Sequence, residues 1–139
     1  MSDRYNLQRF VDAQAHVIDQ VRRELAAGRK QTHWMWFVFP QLRGLGSSPM
    51  AEKYGISSRE EAEAYLEHPV LGPRLRECTE LVNAVQNRSV EEIFGYPDQL
   101  KFRSSMSLFS SVGGDGNVFR AALDKYFRGE PDSATLARL

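Results

Sequence analysis

Between His33 and Pro40 the chain runs Trp34-Met35-Trp36-Phe37-Val38-Phe39, six apolar side chains with no polar residue among them. Both tryptophans of the protein lie in this run. A short segment that is apolar on every side has no face to give to water, so the other elements must wrap around it. Val38 is the only β-branched residue between Thr32 and Pro40, which weakens the case for a strand. The spacing is read as a short helix through Phe39, capped by Thr32 and stopped by Pro40, with a strand as the alternative that periodicity leaves open. The expectation is an all-α fold: one multihelical domain over residues 1–139, built around a buried aromatic central helix.

The remaining periodicities fit that class. Leu7, Phe10, Val11, Val17, Ile18, Val21 and Leu25 recur at steps of three and four, predicting one helix over 7–27 with Arg22, Arg23 and Glu24 facing out and Gly28 ending it. Ser48 with Pro49 opens a short helix ending at Gly55. Ser58-Arg59-Glu60-Glu61 and Ser89-Val90-Glu91-Glu92 have capping-box spacing, for a helix to about Glu67 and a short turn to Gly95. His68-Pro69 breaks the chain before a long helix over about 70–86, with Leu71, Leu75, Cys78, Leu81, Val82 and Val85 as its inner stripe. Pro97 or Asp98 starts the next, with Leu100, Phe102, Met106, Leu108 and Phe109 inside its run. After the loop Gly113-Gly114-Asp115-Gly116-Asn117, Val118 to Phe127 form an amphipathic helix closed by Gly129. Residues 132–139 make a last turn or fray.

Several function classes are disfavoured. The 139 residues carry a formal net charge of zero, whereas nucleic-acid binding draws on a basic surplus. The single cysteine, Cys78, forbids an intramolecular disulfide and argues against a secreted scaffold. No uninterrupted apolar stretch suits a signal peptide or a membrane span. The expected location is the cytoplasm. His16, His33 and His68 are dispersed, with no paired ligand spacing, so neither metal nor cofactor is expected.

The pieces His33-Trp34-Met35-Trp36-Phe37-Val38-Phe39-Pro40-Gln41, Gly44-Leu45-Gly46, His68-Pro69-Val70-Leu71-Gly72-Pro73-Arg74-Leu75, Ile93-Phe94-Gly95-Tyr96-Pro97-Asp98 and Lys101-Phe102-Arg103-Ser104-Ser105-Met106-Ser107-Leu108-Phe109 resemble the domain of unknown function 1810. This is an uncharacterised microbial family, and the likeness runs from about residue 5 to the C-terminus. It implies a bacterial source, a mainly helical domain and no established activity, so no catalytic residues carry over. Some members bear the label calpastatin. Inhibitor segments of that kind are disordered and poor in aromatics, whereas this chain is 11% aromatic and patterned for a core.

Candidate site residues are read from side-chain chemistry. His33 suits a general acid–base or a ligand contact at a helix N-terminus; the alternative is a core histidine bonded to a carbonyl. On a helix His33, Trp36, Phe37 and Pro40 would share a face. Trp34 and Trp36 would point about 200° apart, so at most one lines a given pocket; Trp34 reads as core and Trp36 as evenly balanced. Arg43, in the loop Arg43-Gly44-Leu45-Gly46-Ser47-Ser48, precedes a helix start where an anion could bind, although plain turn chemistry explains the glycines. Lys101, Ser104 and Ser107 share a helix face that could serve as an anion's donor surface, and Ser105 reads as a close helix contact. Gln41 closes the aromatic motif. His33, Trp36, Gln41, Arg43, Lys101 and Ser104 are therefore the expected ligand-binding set. The expected partner is a small anion, containing a phosphate or a nucleotide, in a polar pocket beside the aromatic motif, and enzymatic activity stays open. The competing reading is a non-enzymatic protein-interaction module in which the motif is purely structural. Cys78, on an apolar stripe, reads as an inert core thiol.

Overall fold

The computed structural model describes residues 3–114 and 117–139. Among them lie ten helices: α1 (Gln8–Ala15), α2 (Ile18–Ala26), α3 (Met35–Val38), α4 (Pro49–Lys53), α5 (Arg59–Glu67), α6 (Leu71–Ala84), α7 (Val90–Phe94), α8 (Asp98–Val112), α9 (Val118–Phe127) and α10 (Ser133–Arg138). No strand occurs among these residues. One isolated parallel bridge joins Leu42 to Ile56, with Ile56 N–H donating to Gln41 O at 2.9 Å and Arg43 N–H to Ile56 O at 2.8 Å. The fold is all-α. No helix among the described residues is long and apolar enough to cross a membrane. Asp115 and Gly116, within the expected loop 113–117, lie outside the described residues.

The aromatic run does sit at the centre. Trp34, Met35, Phe37, Val38 and Phe39 are all buried. Phe39 meets Phe94 and Phe102 edge-on, with ring centroids 5.9 and 5.1 Å away, and Phe37 packs 5.3 Å from Tyr54. Edge-to-face contacts put a ring's positive rim on a neighbour's negative face. The run thereby ties itself to α7, to α8 and to the end of α4. Helix α8 packs against α5, α7, α9 and α10, while α6 packs against α2, α5 and α9.

Three local expectations need correction. The helix expected over 7–27 is two helices, broken at His16 and Val17, where Val17 has φ −125°. Helix α1 packs on α3 and α2 packs on α6, and one straight apolar stripe cannot face both. Thr32 does not cap the central helix, which is a single turn starting at Met35 with no side-chain cap. Its hydroxyl instead donates to Glu24, 2.6 Å away. Glu24, expected to face out, is buried at 3% exposure. Helices are placed by the faces they bury, and the segment 31–34 folds back over this carboxylate.

The capping signals fare better. Ser89 and Glu92 form the full reciprocal box. Ser58 caps α5, but the Glu61 carboxylate accepts from the N–H and hydroxyl of Ser57, one residue earlier than the box requires. Glu61 also pairs with Arg9 at 2.9 Å. The Arg9 guanidinium donates in addition to the carbonyls of Tyr5, Asn6, Lys53 and Gly55, so one side chain fastens the N-terminal turn to the α4–α5 junction. His68 does more than end a helix: its Nδ1 accepts from Val70 and Leu71 N–H at 3.1 and 3.3 Å, serving the free donors at the start of α6. Leu100 lies within α8 but is 48% exposed. Helix α9 turns out through Arg128, which takes the left-handed conformation beside Gly129.

Cys78 is fully buried on α6, and burial pushes its thiol up to about 12. Only the thiolate attacks disulfides, so Cys78 is expected to stay unreactive toward Ellman's reagent at pH 8 in the native protein. One equivalent of thiol should appear in denaturant. Rapid native labelling would contradict a closed core around α6.

Candidate functional site

The site grows from the one residue of the aromatic run that the core does not enclose. Trp36 is half-buried at the edge of a cleft, whereas its neighbours Met35 and Phe37 are covered. A one-turn helix can split its side chains in this way: three point inward and the fourth meets the boundary.

Lys101, on the first turns of α8, lays its ammonium over the Trp36 ring at 5.1 Å, a favourable cation–π placement. Lys30 does the same over Trp34 at 5.2 Å. Asp98 lies between the two lysines, 2.9 Å from Lys30 and 3.5 Å from Lys101. Lys30 is nearly enclosed, with its side chain 7% exposed, while that of Lys101 is 28% exposed. Asp98 is thus satisfied mainly by Lys30, and Lys101 is the more loosely held cation.

One lobe, about 260 Å³, is lined by Lys30, His33, Met35, Trp36, Tyr96, Pro97 and Asp98. The other, about 270 Å³, is lined by Gln41, Leu45, Gly46, Pro97, Leu100, Lys101, Ser104, Asp132 and Ala134. Pro97 borders both. A hole of about 10 Å³ against Trp36, Gln41 and Lys101 lies between the indole and the core.

The fold therefore brings five of the six expected residues to two lobes that meet at Pro97: His33 and Trp36 in one, and Gln41, Lys101 and Ser104 in the other. Arg43 stands apart. It lines neither lobe, and its guanidinium donates to the Gly55 carbonyl at 3.3 Å. His33 is exposed and precedes α3 by two residues, so it is not within a helical turn and shares no helix face with Phe37 or Pro40. The serine face offers fewer donors than its composition suggests. Ser104 and Ser107 give their protons to the Leu100 and Arg103 carbonyls one turn back, and Ser107 accepts from Asp132 N–H at 2.7 Å. Ser105 is buried with its hydroxyl unpaired, in keeping with close packing over a small side chain. The chief donor on this face is Lys101.

Sequence reasoning missed Lys30, Tyr96 and Asp98. Lys30 reads from sequence only as a cation near a helix end, and Asp98 only as a helix start. Nothing local reveals that residues 68 positions apart share a salt bridge. Tyr96 gave a fainter signal: an aromatic between Gly95 and Pro97, in a turn where burial is hard to arrange. It is 82% exposed.

Behind the cleft, Glu24 sets the path of segment 31–34. Its carboxylate accepts from Gln31 N–H (2.7 Å), Thr32 N–H (3.0 Å), Thr32 Oγ1 (2.6 Å), Trp34 Nε1 (2.9 Å) and Gln20 Nε2 (2.9 Å). Burial alone would raise this carboxyl; the bonds from Thr32, Gln31 and Gln20 outweigh it and hold the group at about 2. Trp34 and His33 are placed by this anchor. Among the described residues, no group of three or more His, Cys, Asp or Glu side chains is arranged to hold a metal ion.

The family profile described as Protein of unknown function (DUF1810) matches residues 4–139. The crystal structure of the conserved hypothetical protein Rv1873 from Mycobacterium tuberculosis is similar to this chain at 63% identity and a TM-score of 0.96, covering 99% of this chain and 98% of that one. No curated protein matches the chain.

Proposed function

The chain belongs to the DUF1810 family, which is described only as of unknown function, and we propose from the cleft itself that it binds a small phosphate-containing anion beside Trp36. Lys101 is the counter-charge and His33 and Gln41 are flanking polar contacts. The observation that carries this reading is the position of Lys101: a partly exposed ammonium over a half-buried indole, its only carboxylate contact among the described residues a long one to Asp98. An anion entering the cleft gains that ammonium without breaking the shorter Lys30–Asp98 pair.

Thermal shift and calorimetry with inorganic phosphate, sugar phosphates, nucleotides and ADP-ribose test the reading. At least one should stabilise the protein in proportion to its occupancy. Lys101→Met keeps the stem over Trp36 and removes the charge. It should weaken binding roughly tenfold or more, the usual worth of a hydrogen bond to a charged group. No response from any of these anions would end the proposal.

A second reading, a protein-interaction module, draws support from the exposed side chains of Tyr96, Leu100, Leu136 and Leu139. It expects concentration-dependent association, or capture of a partner, that is lost in Leu100→Asp and untouched by Lys101→Met.

A further inference from the structure

The two lobes differ in chemistry, and neither alone has the size of a ligand site. We infer that the ligand is a nucleoside monophosphate, with its base in the His33 lobe and its sugar phosphate in the Ser104 lobe. This deepens, and rests on, the anion reading above.

Volume gives the first argument. Pockets that enclose small ligands span about 300–1,000 Å³. The lobes measure about 260 and 270 Å³ and share Pro97 as a border. A ligand confined to one would be poorly covered, whereas one crossing Pro97 and Lys101 occupies both.

Side-chain chemistry gives the second. Met35, Trp36, Tyr96 and Pro97 form the apolar walls of the His33 lobe, beside His33 and the Lys30–Asp98 pair, whose carboxylate has lone pairs beyond the one that meets Lys30. Flat, apolar walls suit an aromatic ring, and a carboxylate suits the amino or ring N–H group of a base. Tyr96 is the most exposed large apolar side chain among the described residues, at 82%. A stacked ring would cover it. In the other lobe stand one ammonium (Lys101), one amide (Gln41), the Ser104 hydroxyl and the Asp132 carboxylate. Ser104 has given its proton to Leu100 O, so it and Asp132 offer acceptors. A cation beside acceptors fits an anion that also carries hydroxyl groups, as a sugar phosphate does, better than it fits a bare ion.

Charge gives the third. Lys30 and Lys101 are balanced by Asp98 and Asp132 across the two lobes, so there is no surplus to hold a polyphosphate. One phosphate can be met by Lys101; further phosphates would lie toward Asp132 and be repelled.

Calorimetry on the full chain decides. The tightest of AMP, GMP, CMP and UMP should bind at least about tenfold more strongly than ribose 5-phosphate, because base stacking on aromatic side chains is usually worth that much. It should also bind at least about tenfold more strongly than its nucleoside, because the phosphate adds a charge-assisted bond to Lys101. Its triphosphate should bind no more tightly. Tyr96→Ala, at a surface position that leaves the core intact, should weaken the monophosphate about tenfold and leave ribose 5-phosphate unchanged. Lys101→Met should weaken both alike. Arg43→Ala, outside the cleft, should change neither. If ribose 5-phosphate equals every nucleotide, or Tyr96→Ala has no effect, or the triphosphate binds best, the nucleotide assignment is wrong while anion binding stands. If no phosphorylated probe binds, or nucleosides bind equally well, both readings fall.

Discussion

Glu24→Ala is expected to destabilise the protein by about 3 kcal/mol, because the buried Trp34 indole N–H is left without an acceptor and four further bonds to the carboxylate are lost. The carboxylate is 3% exposed and collects five donors. Alanine is the better helix former on α2, so propensity opposes the loss and does not cause it. Without the carboxylate, the indole N–H of fully buried Trp34 has no acceptor, and two backbone N–H groups of segment 31–34 lose theirs. Urea unfolding at pH 7 measures the effect. A loss below 1 kcal/mol would show that the segment is held by something else.

The same group has a pH signature. Its carboxyl is held at about 2 in the folded protein against an ordinary 4.5. A depressed carboxyl stabilises fully above its unfolded value and progressively less as pH falls through the folded one. Wild type should therefore lose about 3 kcal/mol between roughly pH 5 and pH 2 through this group. Glu24→Gln, less stable at pH 7, should lack that part of the decline. Parallel acid-unfolding curves for the two proteins would contradict the assignment.

Gly72→Ala is the second large effect. A Cβ at Gly72 would collide with the Leu66 carbonyl oxygen, a backbone atom with no freedom to turn aside. Arg76 donates to that same carbonyl at 3.3 Å, so the end of α5 sits directly on the first turn of α6. Methyl insertion into a packed site costs about 1–3 kcal/mol when side chains can give. Here two helices must part, and at least about 3 kcal/mol is expected. Gly95→Ala acts by a different route: nothing lies within 4 Å of its Cβ, but φ +78° with ψ 167° is a conformation that essentially only glycine adopts, a strain of about 1–3 kcal/mol. Gly72→Ala should lower the melting temperature by several degrees; an unchanged melting temperature would refute the steric account.

Much of the fold was legible because its signals are local. Ser48, Ser58 and Ser89 each cap the helix that follows, since a cap depends on residues within one turn. Of the expected stripe on α6, Leu71, Leu75, Cys78 and Val82 are buried and Leu81 and Val85 half-buried. Within the candidate site, Trp36 and Lys101 could be named from sequence, but their meeting could not. Arg43 had the right chemistry in the right loop, yet its guanidinium turns to Gly55. Ser104 and Ser107 looked like free donors until their protons were found on backbone carbonyls. Glu24 looked like a solvated surface residue because its neighbours Arg22 and Arg23 are exactly that kind of residue in pattern, and periodicity says nothing about a loop that folds back seven residues later.

The order of amino acids alone decided that this chain is helical and that its tryptophan run lies inside, because apolar spacing, caps and breakers act over a few residues. Only the tertiary structure decided that one indole of that run reaches a cleft, that Asp98 holds two lysines there, and that Tyr96 stands uncovered beside it. Those facts depend on where α3 and α8 come to rest against each other, and that is set by the shape of the whole core.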